Sequence, residues 1–478
     1  MSYRHGIYGS EVPTSLIPMT NTDACLPVVF GTAPIHLASF PAEANTPVLC
    51  YDYAEAVAAF GYSDDWDKYT LCEFMKSHFA LFNMAPVVFI NVFDQAQHKE
   101  NVASETVTLT DGTGAIDNIV YLPSLVVKAD NEVLTKNIDY TASYGEEGKV
   151  IINSVPGGAI ENAESITVAY DKLKPEEVTA DDIIGGIDIS TGKTEGLELI
   201  NDIFPKFGLI PGQIIAPKWS TNPEVAAVLK AKTTVNGIFK AMALNDIPTE
   251  TIKKYTAASE WKNSNNYNDN RQILCWPKVR LSDKQYHLST QLAGVICKLA
   301  SENGDVPYKS PSNKSLQANG ACLADGTEIT LGPEKANYLN GQGILTALNF
   351  IGGWKTWGNR TCCYPSNTDP KDSFIPVRVM FNWVNNTLIT TFWSKIDDPT
   401  NKRLIETIVD SANVWLNGLT SRQFLLGGRV EFRADENPTT DLIDGIIKFH
   451  VYLTPPTPAR EIEFIQEFDI NYYSTLFS

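Results

Sequence analysis

Two apolar runs, residues 26–33 and 86–92, bracket two stretches of helical period, and this strand–helix–strand grammar narrows the folds open to the chain more than any other feature. Residues 53–60 read as a short helix. Residues 71–81 read as another, with Leu71, Phe74, Met75, His78 and Phe79 on one side. An α/β layer follows from that alternation. The grammar then stops: from 101 to 178 there are 13 acidic residues and 5 Lys, with no Arg, Cys or Trp, and short β runs alternate with turns such as Asp111-Gly112 and Pro156-Gly157-Gly158. A small antiparallel β domain inserted into the first domain is the expectation, its acidity directing it toward solvent.

The α/β grammar resumes with an apolar strand at 209–216. Asn222 then stands as a helix cap with Pro223 at the first helical position, where a missing N–H costs nothing. The pattern predicts a helix from there to about Leu244, carrying Val225, Val228, Leu229, Val235, Ile238 and Phe239 on its apolar side. A further helix is expected over 283–299, a long loop over 301–331, and a helix from a cap at 397–400 to about Leu416. Three alternating segments close the chain, at 429–433, 446–453 and 461–468. Between the last two, Thr454-Pro455-Pro456-Thr457-Pro458 forms a stiff extended spacer, so the final segment is free to reach an open sheet edge on a neighbour.

Composition removes several classes of function. With 38 Lys and Arg against 56 Asp and Glu, the formal charge of −18 repels a duplex nucleic acid, and no basic stripe offsets it. No window approaches the length of a membrane-spanning helix, and the N-terminus reads as carrying no signal peptide. The eight cysteines fit no zinc or disulfide spacing and read as reduced, partly buried thiols of a reducing cytoplasm. Neither a metal nor a cofactor is expected. Gly186 and Gly192 in the segment ending Gly192-Lys193-Thr194 are separated by five residues where a phosphate loop needs four, which favours a surface turn leading into a helix over 195–203. No two histidines sit at metal-ligand spacing. His78 reads as a packed, hydrogen-bonded core residue. Carboxylate pairs such as Asp181-Asp182 and Asp397-Asp398 read as caps or solvated surface, so no catalytic residue is expected. Tyr472-Tyr473 reads equally as an interface anchor or as a tail packed on its own domain.

Several segments carry a family likeness. Tyr3-Arg4-His5-Gly6-Ile7-Tyr8, Pro27-Val28-Val29-Phe30-Gly31-Thr32-Ala33-Pro34, and Ile183-Ile184-Gly185-Gly186-Ile187-Asp188 with Thr191-Gly192-Lys193-Thr194-Glu195-Gly196-Leu197 are among them. So are Leu209-Ile210-Pro211-Gly212-Gln213, Trp357-Gly358-Asn359-Arg360-Thr361, Asp444-Gly445-Ile446-Ile447 and Glu461-Ile462-Glu463-Phe464. In this order, over nearly the whole chain, they resemble the contractile phage tail sheath family, which includes the sheaths of phage-tail-like bacteriocins. Cys362-Cys363 departs from the pattern.

The resemblance implies an α/β (α+β) multidomain chain, a mixed-sheet sheath core with an inserted antiparallel β domain and extended N- and C-terminal arms. It implies an N-terminal arm over 1–24, a discontinuous core over 25–100 and 179–355, the insertion over 101–178, a C-terminal inner domain over 356–456 and a C-terminal strand over 457–478. A non-enzymatic structural subunit is implied, polymerising with copies of itself as stacked hexameric rings in a helical sleeve around a tail tube protein, with baseplate and tail terminator proteins as further partners. No direct nucleic-acid or membrane contact is implied. The particle is a virion tail or phage-tail-like assembly built in the bacterial cytoplasm. Interface candidates are Tyr3, Arg4 and Tyr8 in the N-terminal arm; Arg429, Arg433, Lys448 and Arg460 for charged contacts with tube or neighbour; and Ile462, Phe464 and Phe468 in the C-terminal strand. The runner-up by class, a soluble α/β enzyme, predicts a monodisperse particle with a deep pocket around a perturbed titratable group. A third class, another tail or baseplate protein, is disfavoured for the tube by the length of 478 residues.

Overall fold

The computed structural model describes residue 19 and residues 24–130, 132–145 and 148–477. The N-terminal arm expected over 1–24, with Tyr3, Arg4 and Tyr8, lies almost wholly outside the described residues.

An eight-stranded mixed sheet organises the chain. Its strands are β1 (Pro27–Gly31), β2 (Val48–Cys50), β3 (Val87–Asn91), β4 (Gln213–Ile215), β5 (Met242–Asp246), β6 (Gln272–Cys275), β7 (Ile344–Asn349) and β8 (Trp354–Trp357), in the spatial order 2-3-1-4-5-6-7-8. The inner strands pair in parallel and both outermost pairs, β2–β3 and β7–β8, are antiparallel. Helices cover the sheet, and for that reason β1, β3 and β5 are buried along their whole length; β1 and β3 read as apolar runs, while β5 ends in the buried polar pair Asn245-Asp246. Phe30, Phe89, Ile90, Ile214 and Leu244 lie in one apolar core with Phe60, Phe74 and Leu292 from the helices.

The local rules behind the helices are visible in their caps. Helix α1 (Tyr53–Phe60) starts where the Asp52 carboxylate accepts the Glu55 N–H and stops at Gly61, whose φ of 73° L-residues rarely adopt. Helix α2 (Thr70–Met75) runs into a wider turn over Lys76–Leu81. Helix α3 (Pro223–Ala231) has the expected Asn222 cap on Glu224 N–H, but it ends 13 residues before the expected Leu244. Asn236 and Gly237, both at positive φ, turn a hairpin between Thr234–Val235 and Phe239–Lys240, and the chain enters β5. The Asn-Gly dipeptide, a strong hairpin signal, outweighs the apolar periodicity.

Two further helices begin later than the periodicity predicts. Residues 284–286 form a strand, Lys284–Tyr286, after a turn at Ser282 with φ 56°, and helix α4 (Leu288–Ser301) follows. Helix α5 (Ile375–Phe392) precedes helix α6 (Lys402–Ser421), whose cap is Asn401, accepting Leu404 N–H, and not the Asp397-Asp398 pair.

Two buried carboxylates hold the start of α4. Glu73 accepts both the backbone N–H of His287 (2.7 Å) and its ring Nδ1–H (2.7 Å), across 214 residues of sequence. Asp246, at the end of β5, accepts Ser289 N–H at 3.0 Å and its hydroxyl. The Glu73 anion complements the helix dipole, and both carboxyl groups satisfy donors at the start of the helix. Burial raises Asp246 above the ordinary carboxyl range, against the opposing pull of His287 and Ser289. Burial pushes Glu73 the same way, but His287 and Lys278 overcome it and hold Glu73 low. His78 has no such partner. It stacks on Phe74 at 5.0 Å with neither ring nitrogen hydrogen-bonded, and burial pushes its pKa down to about 3, which corrects the expectation of a hydrogen-bonded histidine.

Between β3 and the next helical stretch the chain builds two antiparallel sheets. One pairs Lys99–Thr108, Ser165–Leu173, Val126–Ala129 and Glu132–Val133; the other pairs Thr113–Ile116, Val150–Ser154 and Tyr140–Tyr144. They share a separate apolar cluster that includes Val107, Val127, Tyr140, Ile152 and Val168.

Candidate assembly surface

The C-terminal third supplies an unfinished sheet. Strands β9 (Gly427–Phe432) and β10 (Phe449–Thr454) pair antiparallel from Gly427↔Thr454 to Phe432↔Phe449, and no third described strand joins them. Helices α5 and α6 seal one face, Met380, Trp383, Ala412 and Leu416 packing with Val430 of β9. On the outer flank of β9 the Asn413 amide caps Val430, donating to its C=O (2.9 Å) and accepting its N–H (2.8 Å), while the outer flank of β10 meets no described strand and is a template for further pairing.

The chain leaves β10 through Pro455-Pro456-Thr457-Pro458 and continues without regular structure to Asp469. Over 461–468, where alternation predicts a strand, no strand pairs within the described chain. Phe464 is 85% and Ile465 88% exposed, and Ile462 and Phe468 are nearly as open. Exposed large apolar side chains on one short segment mark a contact surface. Tyr472 and Tyr473 are also exposed, within a 3-10 helix over Ile470–Phe477.

The basic candidates all lie in this region, each beside a carboxylate of its own chain. Arg429 Nε donates to Glu431 Oε1 at 2.6 Å, its guanidinium 3.7 Å from the Tyr452 ring centre. Arg433 forks onto Asp435 (3.2 and 2.7 Å) and donates to Tyr452 Oη at 3.1 Å, and these bonds raise its pKa further. Lys448 meets Asp441 at 2.7 Å, and Arg460 meets Glu461 at 3.1 Å. The Arg433 and Lys448 pairs fix the loop between β9 and β10, and all four pairs leave little free charge for a partner. Arg433→Glu sets a third carboxylate against Asp435 and Glu436, so sleeve yield counted by electron microscopy is expected to fall about tenfold or more, with the monomer still folded. Unchanged yield would detach this loop from assembly.

Elsewhere, two features hold charge. In the glycine-rich turn, Asp188 Oδ1 accepts Ser190 N–H (2.8 Å), its hydroxyl (2.6 Å) and Thr191 N–H (3.4 Å), and these bonds hold its pKa at about 2. Lys193 pairs with Glu195 at 2.9 Å. The donors that would wrap a phosphate are taken by the turn's own carboxylate. Beside β10 lies a cleft of about 380 Å³ with Lys240, Arg271 and Arg378 in its wall and Phe381, Val451 and Leu453 among its apolar residues. The sequence signals neither the cleft nor the Glu73–His287 pair, because each joins residues far apart in the chain. Among the described residues, no group of three or more His, Cys, Asp or Glu is placed to hold a metal ion, and no helix is long and apolar enough to cross a membrane.

No protein-family model matches the chain. It is 27% identical over 492 residues to the tail sheath protein of Burkholderia phage BcepMu, spanning 99% of this chain and 98% of that one. Among solved structures it is similar to the sheath complex of the PVC extracellular contractile injection system in its contracted state, with TM-score 0.59 and 14% identity over 99% of both chains. It is also similar in fold to a chain of the anti-feeding prophage baseplate, solved with 6-fold symmetry, with TM-score 0.56 and 14% identity over 98% of this chain and 100% of that one.

Proposed function

We propose that this chain, which belongs to the contractile tail sheath proteins, polymerises as stacked six-membered rings around a rigid tail tube and drives that tube through a target envelope when the sleeve contracts. It is a structural subunit of a contractile sheath, located in a virion tail or tail-like particle. The six-fold symmetry of the related baseplate supports six subunits per ring. The work is mechanical and uses no catalytic centre. Baseplate, tube and terminator proteins are its partners, and assembly takes place in the bacterial cytoplasm before release.

One observation carries this reading: a two-stranded sheet, β9–β10, that no third described strand joins, is followed by a segment whose apolar side chains stand exposed among the described residues. A strand given to a neighbour completes the ladder there without a new loop closure within the subunit. The Pro-rich spacer keeps the link extended while the globular bodies reorient. The likeness to sheath proteins supports tube-side placement of the β9–β10 region, and the acidity of residues 101–178 supports an outward position for their β sheets. Contraction then needs a small gain in packing per subunit, summed over many. Until contacts form, the charge of −18 keeps free subunits apart.

Sedimentation velocity tests the arm exchange. The intact chain of 52.7 kDa is expected to sediment as large polymers, and a version lacking residues 457–478 as a single, slightly lighter subunit with at least about tenfold less polymer at equal concentration. Equal polymer in both would remove the C-terminal segment from the assembly.

A further inference from the structure

The cleft beside β10 holds charge that the chain does not neutralise. Lys240 Nζ (3.3 Å) and Arg271 Nη1 (2.8 Å) donate to the same neutral oxygen, Thr234 Oγ1. Neither has a carboxylate at ion-pair distance among the described residues. Arg378 shares Asp372 (3.2 Å), but that carboxylate also accepts from Asn270 and Asn367. Asp269 spends an oxygen on the Arg271 backbone N–H. Within the wall, Arg378 Nε and Asn382 Oδ1 are buried without a hydrogen-bond partner. Burial, then the Arg271 and Arg378 guanidiniums, lower the pKa of Lys240. In a chain with 56 acidic against 38 basic side chains, cations left side by side call for an anion from outside.

Charge pattern identifies the anion. Over 461–469 the odd positions are Glu461, Glu463, Ile465, Glu467 and Asp469, and the even ones Ile462, Phe464, Gln466 and Phe468. As a strand, this segment has an acidic face and an apolar face. In its own chain it is directed elsewhere, since Pro458–Glu461 lie in a different groove with Asn313, Trp357 and Tyr364. Val451 and Leu453, alternate residues of β10, line the cleft, so a strand added along the open flank of β10 lies over it. We propose that the cleft is a carboxylate-binding site whose ligand is the acidic face of segment 461–469 from a second copy of this chain. The site rests on the arm-exchange reading and gives it a register: Lys240 and Arg271 select acidic side chains on the strand that arrives.

The test uses the full chain and a fluorescent peptide spanning residues 459–470, followed by anisotropy. Saturable binding is expected, weakened at least about tenfold by K240Q/R271Q in the protein. A peptide with Glu461, Glu463 and Glu467 changed to Gln and Asp469 to Asn is expected to bind unaltered protein more weakly by the same factor, an arm that does not depend on the variant folding. No saturable binding, or equal affinity for acidic and amidated peptides, overturns the site. Electron microscopy of the unaltered chain separates the two readings. Sleeves together with charge-indifferent binding overturn the cleft and leave the sheath. Charge-dependent binding by a chain that never polymerises upholds the cleft and overturns the sheath.

Discussion

Glu73→Ala is expected to lower stability by about 3–5 kcal/mol at pH 7, measured by urea unfolding, because it strips the His287 ring and backbone N–H of the buried carboxylate that accepts from both. The pair is enclosed, with side-chain exposures of 7% and 3%, so water cannot substitute. The sign of the pH dependence follows from the depressed carboxyl of Glu73. Its contribution is complete above the ordinary value of 4.5 and is lost as pH falls through the lower folded value. The deficit of the variant therefore shrinks in acid. Asp246 acts in the opposite sense: its folded pKa is raised above 3.8, so folding favours its protonated form and its contribution declines as pH rises through the folded value. A loss below about 1 kcal/mol at pH 7, or one that grows in acid, would contradict this account of the α4 start.

Gly185→Ala is expected to cost about 2–4 kcal/mol, and Gly186→Ala next to it less than about 0.5 kcal/mol. A Cβ on Gly185 would lie 2.0 Å from the Glu195 carbonyl oxygen, at a φ of +63°. Gly196 faces it across the same gap, 2.5 Å from the Ile183 carbonyl oxygen, at φ +59°. A Cβ on Gly186 meets nothing within 4 Å. The two glycines let the ends of the Gly186–Ile187 and Thr194–Glu195 hairpin touch where it leaves the core. That contact accounts for glycine at these positions without any phosphate. Thermal melts of the two single variants check it, and equal losses in both would sink the explanation.

What the sequence discloses follows the range of the forces involved. Strands β1 and β3 and helix α1 are short, locally consistent patterns, and they stand where apolar runs and periodicity put them. The Asn222–Pro223 start of α3 is equally local. Its end was hidden by Val235, Ile238 and Phe239, which continue the helical period but pack from a hairpin turned at Asn236-Gly237. The Asn401 cap lay three residues past a more acidic decoy, Asp397-Asp398. His78 shows the limit of residue-type reasoning, since only the packed core reveals that Phe74 covers it and nothing bonds it. The cleft is less legible still: Lys240, Arg271 and Arg378 come from a hairpin, a strand lead-in and a helix, and nothing in their spacing marks convergence. The alternating residues after the Pro-rich spacer carry a strand pattern that pairs with no described strand, beside the β10 flank that no described strand covers.

Cryo-electron microscopy of the purified full-length chain, alone and co-expressed with a candidate tube protein, tests the central claim most directly. The account predicts hollow helical sleeves in which residues 461–469 of one copy form an added strand on the β9–β10 sheet of the next. Uniform small particles under both conditions, or sleeves in which that segment stays on its own chain, would contradict it.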